Sequence, residues 1–368
     1  MNLVVNGFNM WYIIGATFFV SLIMTFIVKK VAVHINALDI PNERKVHKKP
    51  MPRIGGLAIF AAFLIGYMLF GVADDSRMIS VLIGGFIIII TGIIDDINPI
   101  KARWKFLLQT IAALVVVVYG EMYFSDITLL GFVFKFPTYI NMILSVFFIV
   151  SVINAINLID GLDGLSSGIC SIYFLTIAII GFVLNKFGGL DVILSLIMLG
   201  STLGFLVHNF PPAKIFMGDT GSMFLGFMIS IIALIGYKVA TVTSILIPIL
   251  LLFIPIVDTL FAIIRRVLKG ESIGTPDKEH LHHQLLRMTS SPVKTIILIY
   301  FINIIFSVIS IFFVLNNDTI AIAMYIAVMI FFIFLVLKTN ILFEHKNLIN
   351  HPIIMDQKES NKRSKKDE

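Results

Sequence analysis

The sequence predicts an all-α fold: a polytopic membrane bundle of about eleven transmembrane helices, with the N-terminus outside and the C-terminus in the cytoplasm. Three observations predict it. Hydrophobic residues make up 58% of the 368 and charged residues only 14%, against roughly a quarter charged in a soluble domain. Apolar runs of about 20 residues, the length that crosses a bilayer, recur along the chain. Lys and Arg fall almost wholly on alternate connections, 24 against four, and that asymmetry marks the cytoplasmic side.

The spans are expected near 10–28, 54–72, 78–94, 104–120, 138–157, 165–185, 190–208, 220–237, 243–263, 295–315 and 318–337. The first has no basic residues before it, and Lys29 and Lys30 follow it, as in an uncleaved span that starts outside. The fourth is short, and the fifth begins between Phe136 and Met142. Between them "EMYFSDITLLGFVFKFPTY" has the pattern of a small hairpin or interfacial segment. Other outside connections are short and plain. Residues 1–340 are expected to form one transmembrane domain. The charged tail 341–368, ending "DQKESNKRSKKDE", lacks apolar periodicity and is expected to be disordered. Cys170 is the single cysteine, which excludes an internal disulfide. No inverted repeat of the transporter kind is evident. A net charge of +6 lies on loops and tail, so the expected partner is membrane lipid, not nucleic acid.

Five cytoplasmic connections carry chemical groups. "PNERKVHKKPMPRIGG" brings Lys45, His47, Lys48 and Arg53 before a Gly-Gly pair, suited either to phosphate or to lipid headgroups. "TGIIDDINPIKARWK" puts Asp95 and Asp96 side by side at the end of an apolar helix. Carboxylates at membrane depth are costly, which points to a base or metal-handling pair, with a local ion pair as the structural alternative. In "NAINLIDGLDGLSSG", Asn154, Asn157, Asp160 and Asp163 recur every three residues. Gly161 and Gly164 then break the helix, and Ser166 or Ser167 is placed to cap the next. Amides, acids and flexible backbone beside a helix start suit a Mg²⁺-bound phosphate or a nucleotide. "HNFPPAKIFMGDTGS" contains one acid, Asp219, read as a metal ligand or an N-cap. "RRVLKGESIGTPDKEHLHHQLLRM" clusters His280, His282 and His283, expected to hydrogen-bond phosphate or sugar. Asp258 precedes Arg265 by seven residues, so a salt bridge within that helix is an equal alternative to a catalytic role.

In order and spacing these five segments resemble the polyprenyl-phosphate N-acetylhexosamine-1-phosphate transferase family, over most of the chain. "MPRIGG" and "HLHH" are similar to its N-acetylglucosamine-1-phosphate branch, including the initiators of wall teichoic acid. The phospho-N-acetylmuramoyl-pentapeptide branch carries Thr-Pro-Thr-Met-Gly-Gly and three consecutive histidines instead. The resemblance implies transfer of N-acetylglucosamine-1-phosphate from UDP-GlcNAc to undecaprenyl phosphate, with release of UMP. It implies Mg²⁺ as cofactor, with Mn²⁺ as a substitute, and a membrane location with the site facing the cytoplasm. By matching motif, Asp95 and Asp96 take the essential carboxylate pair and Asp219 the metal ligand. Asn154, Asn157, Asp160, Gly161, Leu162 and Asp163 take the nucleotide-binding helix end. Asn209 and Phe216 take positions near uridine, and the three histidines a role in binding or catalysis. Asp95 is then expected to deprotonate or orient the lipid phosphate, while Lys45, Lys48 and Arg53 offset the charge of two phosphate-bearing substrates. One displacement and a route through an aspartyl-phosphate both stay open, as does assembly as a homodimer. The alternatives are the pentapeptide branch and, from a different class, a proton-coupled transporter.

Overall fold

The computed structural model describes residues 4–41, 49–71, 76–125, 127–129, 132–186, 188–238, 246–268, 280–315, 323–324 and 326–330. Lys45, His47 and Lys48, most of the expected eleventh span, and the charged tail lie outside these. Met1–Met324 form one compact unit. Its helices are α1 (Met10–His34), α2 (Gly56–Phe70), α3 (Ser76–Ile97), α4 (Ala102–Leu114), α5 (Thr138–Ile159) and α6 (Leu165–Val183). They continue as α7 (Leu190–Asn209), α8 (Gly218–Lys238), α9 (Leu246–Leu251), α10 (Phe253–Leu268), α11 (Leu281–Thr289) and α12 (Pro292–Val314). A π-helical turn, Val115–Tyr119, extends α4. Eight of these helices are long and apolar enough to cross a membrane, so this is a multi-pass membrane protein; α2 and the apolar part of α10 are shorter.

Short strands precede α1 and sit between later helices. β1 (Val4–Val5) pairs with β2 (Phe8–Asn9), and β3 (Leu38–Asp39) with β4 (Met51–Pro52). The expected hairpin is present as β5 (Ile127–Leu129) antiparallel to β6 (Phe132–Phe134). Two expectations need correction. The ninth span, 243–263, is not one helix but α9 and α10, interrupted at Leu252. Pro255 has no N–H for the carbonyl of Leu251 and its ring crowds that carbonyl, so it is accommodated only in the first turn of a new helix. Neither Ser166 nor Ser167 caps α6. Gly164, at φ +76°, holds the N-cap position, and its N–H donates to Asn209 Oδ1 of α7 at 3.0 Å.

α8 is the central helix, buried throughout Gly218–Gly236. α1 presents Thr17, Ser21 and Thr25 inward and Phe19, Ile23 and Phe26 outward. That reversal of the soluble pattern suits lipid, where close packing of small residues replaces the hydrophobic drive. Its inward stripe meets α7 at Gly200 and Gly204, where any Cβ would overlap the backbone of α1. Phe60 of α2 packs edge-on against Phe224 of α8 at 5.1 Å.

The start of α2 approaches α8 more closely still. A Cβ on Gly56 would overlap the Cα and N of Gly221. Backbone on both sides leaves no side chain to swing away, so Gly56→Ala should cost about 3 kcal/mol by overpacking. Thermal melting of the detergent-solubilised variant checks this; an unchanged midpoint would show that α2 can slide along α8.

Alternation of the chain direction brings the C-terminal ends of α1, α3, α5, α7 and α10 together with the N-terminal ends of α2, α4, α8 and α12. The chemical loops lie at that one end of the bundle.

Candidate active site

Asp95 and Asp96 close α3. Asp219 opens α8. One oxygen from each of these three buried acids lies within 4.8 Å of the others. Two cations hold the trio. Lys105, in the first turns of α4, pairs with Asp95 Oδ2 at 2.7 Å and with Asp219 Oδ2. Arg53, between β4 and α2, reaches Asp96 Oδ1 through Nε at 2.9 Å and Asp219 Oδ1 at 3.1 Å. Its third nitrogen lies 3.7 Å from Asp39.

The two aspartates at the end of α3 have different surroundings. Asp96 caps α8 from another helix: its oxygens accept the N–H groups of Asp219 and Thr220, each at 2.9 Å, and the Thr220 hydroxyl at 2.6 Å. The first-turn amides of a helix have no partner within it, so a buried carboxylate there satisfies them. Gly218 (φ +71°) begins the helix, and a side chain at that position would overlap the Asp96 carboxylate. Among the described residues, Asp95 instead accepts only the Ile100 N–H at 2.9 Å besides Lys105. Backbone bonds fix the rest of the frame: Gly55 and Gly56 donate to the carbonyls of Phe216 and Met217, each at 2.9 Å, and Phe216 donates to Pro52 at 2.8 Å.

A cavity of ≈ 920 Å³ opens beside the trio. Its lining includes Arg53, Asn157, Asp160, Gly161, Leu162, Asp163, Asn209, Phe216, Asp219 and His283 from the sequence-predicted set, with Asp39 and Lys49 added. Asn157 donates to Ser222 Oγ at 2.9 Å. Asp163 accepts the Ala213 N–H at 2.9 Å. Asn209 accepts from Gly164 and Ser167 through its oxygen and donates to the Ile215 carbonyl at 3.0 Å. Its polar atoms therefore shape the cavity wall. Asn154 lies farther along α5, where it donates to Gln109 Oε1 at 2.7 Å. His282 stands behind Gly161, and neither it nor His280 is on the cavity lining.

Electrostatics differ around the cavity. Burial opposes the charge of Arg53, but Asp96 and Asp219 outweigh it and raise its pKa. Desolvation, reinforced by the charge of Asp219, pushes Asp160 up to about 8. Burial, then His282 and His280, push His283 down to about 4, so it is neutral near pH 7. Asp160 gives a signed prediction. An acid whose folded pKa exceeds its unfolded one stabilises fully below the unfolded value and loses that contribution as pH climbs through the folded one. In chelator, the melting temperature should fall as pH rises from about 4 through about 8. Asp160→Asn should flatten that fall; an identical slope in the variant would remove Asp160 as its source.

Lys105, Thr220, Asp39 and Asp258 are outside the sequence-predicted set. Lys105 stands in the quoted segment but reads there only as a local partner for Asp95. Its second bond, to Asp219 at |i−j| = 114, has no signature in sequence. Asp258 is tied to the histidine segment. Its carboxylate faces α11, with Oδ1 accepting the Leu281 N–H at 2.7 Å and Oδ2 near His280 and His282. The side chain of Arg265, the other partner that the sequence offers, lies outside the described residues.

Residues 78–237 match glycosyl transferase family 4. A Bacillus subtilis (strain 168) protein named probable undecaprenyl-phosphate N-acetylglucosaminyl 1-phosphate transferase is 45% identical over 307 residues, 83% of this chain and 84% of its own. The chain belongs to glycosyl transferase family 4. Two further relatives are less similar. A Mycobacterium leprae decaprenyl-phosphate N-acetylglucosaminephosphotransferase is 35% identical, over 75% of this chain and 76% of its own. A Haemophilus influenzae undecaprenyl-phosphate alpha-N-acetylglucosaminyl 1-phosphate transferase is 32% identical, over 81% and 85%. The matched family region contains the carboxylate pair, the Asn154–Asp163 segment and Asp219.

Proposed function

We propose that this family 4 protein transfers N-acetylglucosamine-1-phosphate from UDP-GlcNAc to undecaprenyl phosphate at the cytoplasmic membrane face. The products are undecaprenyl-diphosphate-N-acetylglucosamine and UMP, in the first step of wall teichoic acid or a related surface polysaccharide. The observation that carries this reading is the trio Asp95, Asp96 and Asp219 beside a cavity of ≈ 920 Å³ at one end of an apolar bundle. A lipid phosphate reaches such a place from the bilayer, and a soluble nucleotide sugar from the cytoplasm. The names of the relatives supply the sugar and the lipid. The Lys and Arg asymmetry supplies the orientation.

The donor set fits a hard divalent cation: three carboxylates converge beside open space, as Mg²⁺ prefers. Asp219 and Asp95 would hold it, since the oxygens of Asp96 are taken up by α8 and Arg53. Such an ion would neutralise the diphosphate and the departing UMP. The chain's own residues do the rest. An oxygen of the lipid phosphate forms a bond to the sugar-bearing phosphorus, and the bond from that phosphorus to the UMP oxygen breaks. Asp95, beside the lipid phosphate, orients it and accepts any proton it still carries. A phosphate monoester is largely dianionic near neutrality, with a second pKa of about 6, so that demand is modest. Arg53 and Lys105 then pair with phosphoryl oxygens and offset the charge of two anionic substrates meeting. Asn157, Asp160 and Asp163 line the nucleotide end, with Phe216 a flat apolar wall.

The test uses purified protein in detergent with Mg²⁺, undecaprenyl phosphate and sugar-labelled UDP-GlcNAc. Label should enter the organic phase in step with UMP release. Because detergent leaves no compartments, turnover there also separates a transferase from a transporter. Label transfer only from UDP-MurNAc-pentapeptide would move the protein to the other branch.

A further inference from the structure

We propose that Asp258 is a positioning residue for the transfer, which it serves by setting the tautomer and the direction of His282. The inference rests on the transferase reading above. Asp258 is 1% exposed, on α10, with its carboxylate turned toward the start of α11. Oδ1 accepts the Leu281 N–H at 2.7 Å. Oδ2 stands 3.2 Å from His280 Nδ1 and 3.5 Å from His282 Nδ1. The two imidazoles stack, 5.5 Å apart and 10° from parallel. One carboxylate therefore faces the same nitrogen on both rings, and an anion there favours a proton on Nδ1. That leaves Nε2 as the outward atom.

For His282, outward is toward the site. The ring is 2% exposed and neither nitrogen has a hydrogen-bond partner among the described residues. Nε2 rests on Gly161, where a Cβ would overlap it. Gly161 follows Asp160 and lines the cavity. His282 thus presents an unpaired polar atom at the back of the turn that holds the nucleotide end, and a glycine is what lets it come so close. His280 completes the clamp by sharing the carboxylate. A carboxylate that orients a histidine is a recurring device, and its loss typically costs about 10- to 100-fold in function.

Asp258→Asn isolates this role. The asparagine keeps an oxygen for the Leu281 N–H but turns an amide donor toward Nδ1, which drives the proton to Nε2. Turnover should fall about 10- to 100-fold while the melting temperature stays near wild type. His282→Gln should lose a similar factor, and the double variant no more than the worse single one, because both remove the same interaction. Multiplying losses, or full activity in Asp258→Asn, would overturn the proposal. A second readout needs no activity. In protein carrying ¹⁵N-histidine, the signal that vanishes in His282→Gln should report a proton on Nδ1 in the wild type and on Nε2 in Asp258→Asn. An unchanged tautomer would overturn the proposal even if the substrate is other than UDP-GlcNAc. An inactive wild type with that tautomer switch intact would instead count against the transferase reading alone.

Discussion

Asp219→Asn should lower turnover about a thousandfold, the scale of removing a principal electrostatic partner of a developing charge, or about 4 kcal/mol of barrier. The fold should survive. Asp219 does not anchor α8 through its side chain; its backbone N–H does that work by donating to Asp96. The asparagine keeps shape and volume and can still accept from Arg53 or Lys105. What it loses is the negative charge that lies between those two cations, and with it the ability to hold a divalent cation against them. The measurement is UMP release across a Mg²⁺ titration, alongside thermal melting. Turnover within tenfold of wild type, with the same Mg²⁺ dependence, would remove Asp219 from the metal-holding role. A large fall in melting temperature with the activity loss would mean that the cation pair needs this carboxylate to fold.

The bundle is largely legible in the sequence, because length and apolarity suffice to mark a span: α1, α5, α6, α7 and α12 lie where the apolar runs place them. Apolarity does not register Pro255, whose effect is steric and local, and so predicts one ninth span where the chain breaks at Leu252. The site was legible in its acids and less so in its cations. Asp95, Asp96 and Asp219 stand out as charges in apolar surroundings, but Lys105 sits in a cytoplasmic connection where a lysine is ordinary, and its bond to α8 depends on how α3 and α4 fold back. Asp258 shows the same limit. A helical reading ties a residue to neighbours three, four or seven positions away, whereas its partners are in α11, 22 and 24 residues later, across residues 269–279, which lie outside those described.

The adjacent aspartates, one motif in sequence, should separate under substitution. Asp95→Asn and Asp96→Asn should each reduce turnover at least about 100-fold, the first by removing the group proposed to orient the lipid phosphate and the second by misplacing Asp219. Only Asp96→Asn should unfold early. Its carboxylate, 6% exposed, receives two backbone amides, one hydroxyl and Arg53. An asparagine must set its NH₂ against at least one of these donors, leaving a buried amide or guanidinium unpaired at about 3 kcal/mol. Asp95→Asn keeps its bond from Ile100 and gives up only its contact with Lys105, which retains Asp219; about 1 kcal/mol is the expected cost. Melting curves of the two variants in the same detergent decide it. Equal midpoints would mean that α8 is held by something other than Asp96. The carboxylate pair would then act as one chemical unit, not as one residue proposed to react and one that holds Asp219 and its helix in reach.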